Sequence, residues 1–212
     1  MKKLFAFVAL VTFMLVAGKA TAQLSFNAGL GANLIDNTIK FSDGSKKDTA
    51  FAAVGFHVGL SYNVNFTEQW GIAPGIYFDY SGRSTEKLGV TRVEDMWNVD
   101  IPILFNYHRD FTERFGIIGF VGPTLRYGLS GKCVYKYSDG TPSYTFDYYK
   151  KPSGSSNSYY TRFDLGLTLG VGVHFNALQL HVGYNIGLVD RDPEKDFTTH
   201  FHQFFFGVGF VL

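Results

Sequence analysis

Five charged residues stand where the rest of the chain is short of charge: Asp79, Asp100, Arg126, Arg162 and Asp164. Each falls on the more polar row of a segment in which apolar and polar residues alternate. Guanidinium forks pair well with carboxylates. An unpaired charge held away from water would be costly. The spacing therefore predicts a network of carboxylates and guanidiniums crossing an enclosed space. Its first use is to brace that space, and its second is as a gate or binding site.

Other residues with chemical potential are isolated. His174 and His181 flank Asn176-Ala177 and share a face, with His57 in mid-segment. Two or three imidazoles can bind a metal. No carboxylate or thiol shares their depth in the same rows, so they are expected to be hydrogen-bonded filler, with no metal and no cofactor. His200, His202 and Ser130 could supply a base and a nucleophile for lipid chemistry, but their segments are not neighbours in a meander. The sequence holds no Gly-rich phosphate loop, zinc spacing or G-x-S-x-G elbow. No enzyme is expected. Cys133 is the single cysteine, which excludes an internal disulfide, and it is read as an inert loop residue.

The segment 130–160 is rich in tyrosine: Tyr135, Tyr137, Tyr144, Tyr148 and Tyr149, then Tyr159 and Tyr160. Asp139-Gly140 is a hairpin signal. Residues 132–148 are expected to form a β-ribbon whose rings offer a contact surface for a protein or a glycan. A Pro-Ser-Gly stretch follows at 152–158.

The elements that position these residues follow from a period of two, which runs from residue 24 to the end. Eight segments alternate, at about 24–35, 52–64, 70–80, 96–107, 115–129, 161–175, 178–189 and 201–212. One row is apolar, as in Phe56, Val58, Leu60 and Tyr62. The other is Gly, Asn, Ser, His and Thr, as in His57, Gly59, Ser61 and Asn63. The connections alternate between long (36–51, 81–95, 130–160, 190–200) and short (65–69, 108–114, 176–177). Transmembrane barrels of the outer membrane have short turns at one end and long loops at the other.

Composition decides which row meets lipid. Charged residues are 17% of the chain, against roughly 25% in a soluble domain. A water-facing row would carry charge, and the polar row carries little. Aromatic residues end the apolar rows: Trp70, Tyr107 and Phe115 at one rim, Tyr80, Trp97, Tyr127 and Phe163 at the other. Such girdles mark the two membrane interfaces. The fold expected is all-β, an eight-stranded antiparallel up-and-down transmembrane barrel. Its lumen should be filled by side chains, which favours a non-enzymatic protein over a narrow porin. A net charge of +1 gives no reason to expect nucleic acid as a partner.

The first residues read as a processing signal. Lys2 and Lys3 precede the apolar run Leu4–Gly18, and Ala20-Thr21-Ala22 is a cleavage site. Residues 1–22 are therefore expected to be a signal peptide and 23–212 the barrel domain. The chain is expected in the outer membrane of a Gram-negative cell, with outer-membrane lipid as its surroundings.

Several segments resemble one family. Pro74-Gly75-Ile76-Tyr77-Phe78-Asp79-Tyr80-Ser81-Gly82 and Trp97-Asn98-Val99-Asp100-Ile101-Pro102-Ile103 are similar to signatures of the PorT-like outer-membrane barrel proteins. Partial matches are Gly119–Pro123, Phe163–Gly166 and Tyr184–Leu188. The resemblance spans nearly the whole chain after residue 22. It implies the same barrel fold, assembly by the barrel-assembly machinery and an association with protein secretion. The family usually ends on Phe, whereas this chain ends on Leu212.

Overall fold

The computed structural model describes residues 21–41, 43–151, 158–194 and 196–212. The expected signal peptide lies outside the described residues except for Thr21 and Ala22, and so does most of the Pro-Ser-Gly stretch. Nine strands lie among the described residues: β1 Thr21–Lys40, β2 Lys46–Asn65, β3 Trp70–Lys87, β4 Val90–Thr112, β5 Phe115–Tyr137, β6 Tyr144–Asp147, β7 Phe163–Phe175, β8 Leu178–Gly187 and β9 Phe197–Val211. Eight of them close an antiparallel ring in the order β1-β2-β3-β4-β5-β7-β8-β9, sealed by β9 on β1. β6 stands outside the ring and pairs with the far end of β5 as the expected ribbon, Tyr135 opposite Tyr144.

The two rows face as composition requires. Val54 and Val171 are 71% and 61% exposed on the outside. Ser25, Asn27, Asp79 and Asn98 are buried on the inside. The girdles are formed by rings in contact. Trp70 and Tyr107 lie 4.9 Å apart at the end with the short turns. At the other rim Tyr80 lies 4.8 Å from Trp97 and 5.4 Å from Phe56. The Tyr80 hydroxyl donates to Asp95 Oδ1 at 2.6 Å, which marks the depth at which polar groups resume.

The strands run further than the apolar pattern foretells. β1 and β2 continue to Lys40 and from Lys46, and β3 and β4 reach Lys87 and Val90. Two of the expected long loops, 36–51 and 81–95, are thus mostly ladder, closed by short turns. The apolar row stops where the strands leave lipid, because both faces then meet polar surroundings. The hydrogen-bond ladder needs no such row and continues. The result is a collar standing above the upper girdle.

A β-bulge sets the inner face of that collar. Asn98 pairs with Gly128 but Trp97 with Ser130, so Leu129 is an extra residue on β5. One added residue turns every later side chain to the opposite face. Gly128 and Arg126 face inward below the bulge; Gly131, Cys133 and Tyr135 do so above it. Cys133 is consequently a fully buried strand residue, not the loop residue expected.

The β3–β4 turn places Leu88 at φ 51° and Gly89 at φ 75°. A two-residue turn of this hand fits the twist of the flanking strands, but a leucine there costs roughly 1–2 kcal/mol. Leu88 is 94% exposed, so no packing offsets the strain. Leu88→Asn should therefore stabilise the folded barrel by roughly 1 kcal/mol. A higher urea midpoint at unchanged slope in lipid vesicles would show it; an unchanged midpoint would refute it.

Candidate functional site

The lumen is filled in layers. Nearest the short turns, Asn63 donates to Ser25 at 2.9 Å and Asn106 to Asn63 at 3.1 Å. Above these lies a layer of rings: His57, Tyr77, Phe120, His181 and Phe205. Phe205 sits at its centre, 5.7 Å from His57, 6.1 Å from His181 and 6.4 Å from Phe120. Glycines beside these rings, on the same or an adjacent strand, make room for them. A Cβ on Gly59 or Gly75 would come within 2.6 or 2.7 Å of the Tyr77 ring. A cavity of about 120 Å³ remains among these rings and the amides around them.

The charged layer follows. Arg126 donates from Nε to Asp100 Oδ1 at 2.7 Å and from Nη2 to Asp100 Oδ2 at 2.6 Å, a two-pronged pairing. The same Nη2 reaches Gln203 Oε1 at 2.8 Å. Gln203 passes the link on, donating to Asp79 Oδ2 at 2.6 Å. The chain of contacts thus crosses the lumen from β5 to β4, β9 and β3. Asp164 is buried on β7 directly opposite Arg126 in the ladder. Gln203, which ties Asp79 to Arg126, is neutral, so no charge on the inward row marks it in the sequence.

Arg162 does not join this layer. It precedes β7, and its Nη1 donates to the Gly128 and Leu129 carbonyls at 2.7 and 2.8 Å. The bulge leaves those carbonyls accessible, and the guanidinium stacks 4.7 Å over the Tyr149 ring. The buried second guanidinium is Arg191, which the sequence placed in an external loop. Its Nη2 donates to the Tyr149 hydroxyl and the Thr161 carbonyl, both at 2.9 Å, and it lies 4.3 Å over Phe201.

An aromatic cap closes the collar end. Tyr148 and Tyr149 are 3% and 8% exposed, packed with Ile35, Met96, Cys133 and Phe201. They are therefore not part of the exposed contact surface expected of this segment. The chain after β6 turns inward, with Tyr148 N bonded to Gly131 O at 2.8 Å. Their hydroxyls find buried partners: Tyr148 donates to Glu94 and Tyr149 accepts from Arg191. Tyr137 and Tyr144 remain exposed at 36% and 56%, and Tyr135 is half-buried.

The histidines divide between roles. His57 and His181 belong to the ring layer. His174 Nε2 lies 2.7 Å from Asp110 Oδ1, a carboxylate that pairs in the β4–β5 ladder rather than lying in the expected turn 108–114. His202 is outside the barrel, stacked 6.2 Å from Tyr184 and 3.5 Å from Asp36 Oδ2. Ser130 is on β5, which shares no ladder with β9. Among the described residues, no three His, Cys, Asp or Glu side chains are grouped to hold a metal.

Residues 19–192 match the family described as outer membrane protein beta-barrel domain. The chain belongs to this family. It is therefore an outer-membrane protein, with its short turns on the periplasmic side and its collar outside. No curated protein matches it. Ail, the attachment invasion locus protein of Yersinia pestis, solved with the heparin analogue sucrose octasulfate, is 18% identical with a TM-score of 0.36; the match covers 88% of this chain and 99% of Ail. OprG from Pseudomonas aeruginosa is 12% identical with a TM-score of 0.46, covering 92% of this chain and 98% of OprG. Neisserial surface protein A is 14% identical with a TM-score of 0.40, covering 87% of this chain and 96% of that one.

Two expectations follow for this outer-membrane barrel. Removing one partner of a buried ion pair strands the other, at a cost of about 3–5 kcal/mol, whereas replacing both by apolar residues costs far less. Arg126→Met should thus lower the urea midpoint strongly, and adding Asp100→Leu should restore part of it. Equal losses in the single and double variants would show that the pair does not brace the lumen.

The cap carries a pH signature. Burial, with the Glu94 carboxylate beside it, raises the Tyr148 phenol. Burial foremost pushes Tyr160 up to about 12. An unfolded phenol ionises near pH 10, so the folded cap favours the protonated form. Its contribution is whole below about pH 10 and is lost as pH rises through about 12. A spectrophotometric titration should find Tyr160 protonated at pH 11, together with a collar that loosens only beyond it. A phenol at position 160 ionising near its ordinary value would contradict the packing described.

Proposed function

We propose that this outer-membrane barrel is non-conducting and non-enzymatic, and that it acts through its external collar, as an envelope or secretion-associated component. One observation carries the reading: the lumen is crossed in succession by the ring layer, the Asp100–Arg126–Gln203–Asp79 layer and the aromatic cap. With the interior committed to packing, the part left to meet a partner is the collar, where Tyr137 and Tyr144 stay exposed. The partner class is a surface protein or glycan. Residues 1–22 serve as the cleaved signal peptide, and the barrel-assembly machinery inserts the chain. The PorT-like motifs at Pro74–Gly82 and Trp97–Ile103 support the secretion association, for which loss of secreted surface proteins in a deletion strain is the test.

A second reading is a narrow porin for small solutes. The cavity of about 120 Å³ beneath the charged layer favours it. Ion conductance of the purified folded protein in a planar bilayer separates the two. Silence across the voltage range is expected, and Arg126→Ala should stay silent because the ring layer and cap remain. Steady current in the parent protein would overturn the closed reading. Current that appears only with Arg126→Ala would make the charged layer a gate and bring the porin reading forward.

A further inference from the structure

The collar is polarised across the ring. On the β3–β4 side its inner row carries Arg83, Lys87 and Arg92. Diametrically opposite, counted around the eight-strand order, the β8–β9 connection carries four carboxylates, Asp190, Asp192, Glu194 and Asp196, against two cations, Arg191 and Lys195. On the basic side the carboxylate in contact with these arginines is Glu94, which is buried and shared: Arg83 Nε lies 3.1 Å from one oxygen and Arg92 Nη2 2.8 Å from the other. Glu94 also accepts the Tyr148 hydroxyl. One negative charge thus serves two guanidiniums, and Lys87 adds a third cation.

Rings stand beside this unbalanced charge. Arg83 lies 4.1 Å over Phe51, and Arg92 lies 5.8 Å over Tyr135. Tyr135 stacks on Phe146 at 6.2 Å, and Tyr144 follows on the same row. The arginine side chains are 20% and 35% exposed and Tyr144 is 56% exposed, so both kinds of group can be reached from outside. Guanidiniums recognise carboxylate and sulfate groups by forked hydrogen bonds. Phenol rings offer a flat apolar face with a polar tip, which suits the C–H face and hydroxyls of a sugar. We propose that the inner wall of the collar between β3 and β6 binds an acidic polysaccharide, its carboxylate or sulfate groups on Arg83, Arg92 and Lys87 and its sugar rings on the tyrosines. This names the partner class for the collar reading above and rests on it.

The test uses the full-length protein in phosphatidylcholine nanodiscs with fluorescent dextran sulfate, and uncharged dextran of equal length as the comparison. Dextran sulfate should bind and dextran should not, with affinity falling as salt rises. Lys87→Gln with Tyr144→Ala, both exposed positions outside the buried cluster of the cap, should weaken binding about tenfold, equivalent to about 1.4 kcal/mol. Glu194→Gln on the opposite rim should leave it unchanged or strengthen it. Arg92→Lys, which keeps the charge but loses the fork, should weaken it in protein whose folding is verified by its gel shift on heating. Equal binding of uncharged dextran, or an undiminished affinity in the Lys87→Gln/Tyr144→Ala variant, would overturn the proposal. Tighter binding of polyglutamate than of dextran sulfate would overturn it in favour of an acidic protein partner. None of these outcomes bears on the silent bilayer, so failure here and failure of the closed-barrel reading are distinguishable.

Discussion

Lipid offers no hydrogen bonds, so every backbone N–H and C=O that crosses it must be paired within the protein. That constraint shapes this chain throughout. It requires the ring to close, which β1 and β9 achieve along Ser25–Ile39. A closed ring of eight leaves an interior only wide enough for side chains. Closure also sends one side-chain row to lipid and the other to the lumen, so the charge the chain retains at membrane depth must be satisfied inside.

For Asp79, Asp100 and Arg126 the interior meets that demand by pairing and by neutral bridging. Asp100 takes both prongs of the Arg126 fork, while Asp79 is held by the amides of Gln203 and Asn98. Such pairs contribute little net stability relative to apolar packing, but each member depends on its partner. The ring layer beneath fills space that glycines on the same or adjacent strands leave open. Specific pairing above and shape-matched packing below together leave a cavity of about 120 Å³ between them.

The collar obeys a different rule. Outside the membrane the ladder persists without an apolar outer row, and the inner face acquires a small core of its own around Cys133, Tyr148 and Phe201. The Leu129 bulge makes this possible by turning Cys133 and Tyr135 inward. Charge is then distributed unevenly around the rim, with Arg83, Lys87 and Arg92 beside aromatic rings on one wall and an excess of carboxylates on the other.

The strand rows, the girdles, the barrel class and the charges at membrane depth were legible in the amino-acid order, because lipid imposes a strict period of two, plain in Phe56–Tyr62 and Leu165–Val173. Asp79, Asp100 and Arg126 were legible for the same reason: a charge on the inward row is conspicuous among Gly, Asn and Ser. The features that depend on the folded barrel lie where that period lapses. The extent of β3 and β4 above Gly82, the bulge at Leu129 and the inward turn of Tyr148 and Tyr149 leave no periodic trace, since both faces there are polar or mixed. Gln203 and Arg191 became site residues through closure of the ring and folding of the cap, contacts between segments far apart in the chain. Arg162 went the other way, because a carbonyl pair exposed by the bulge lay closer than any carboxylate.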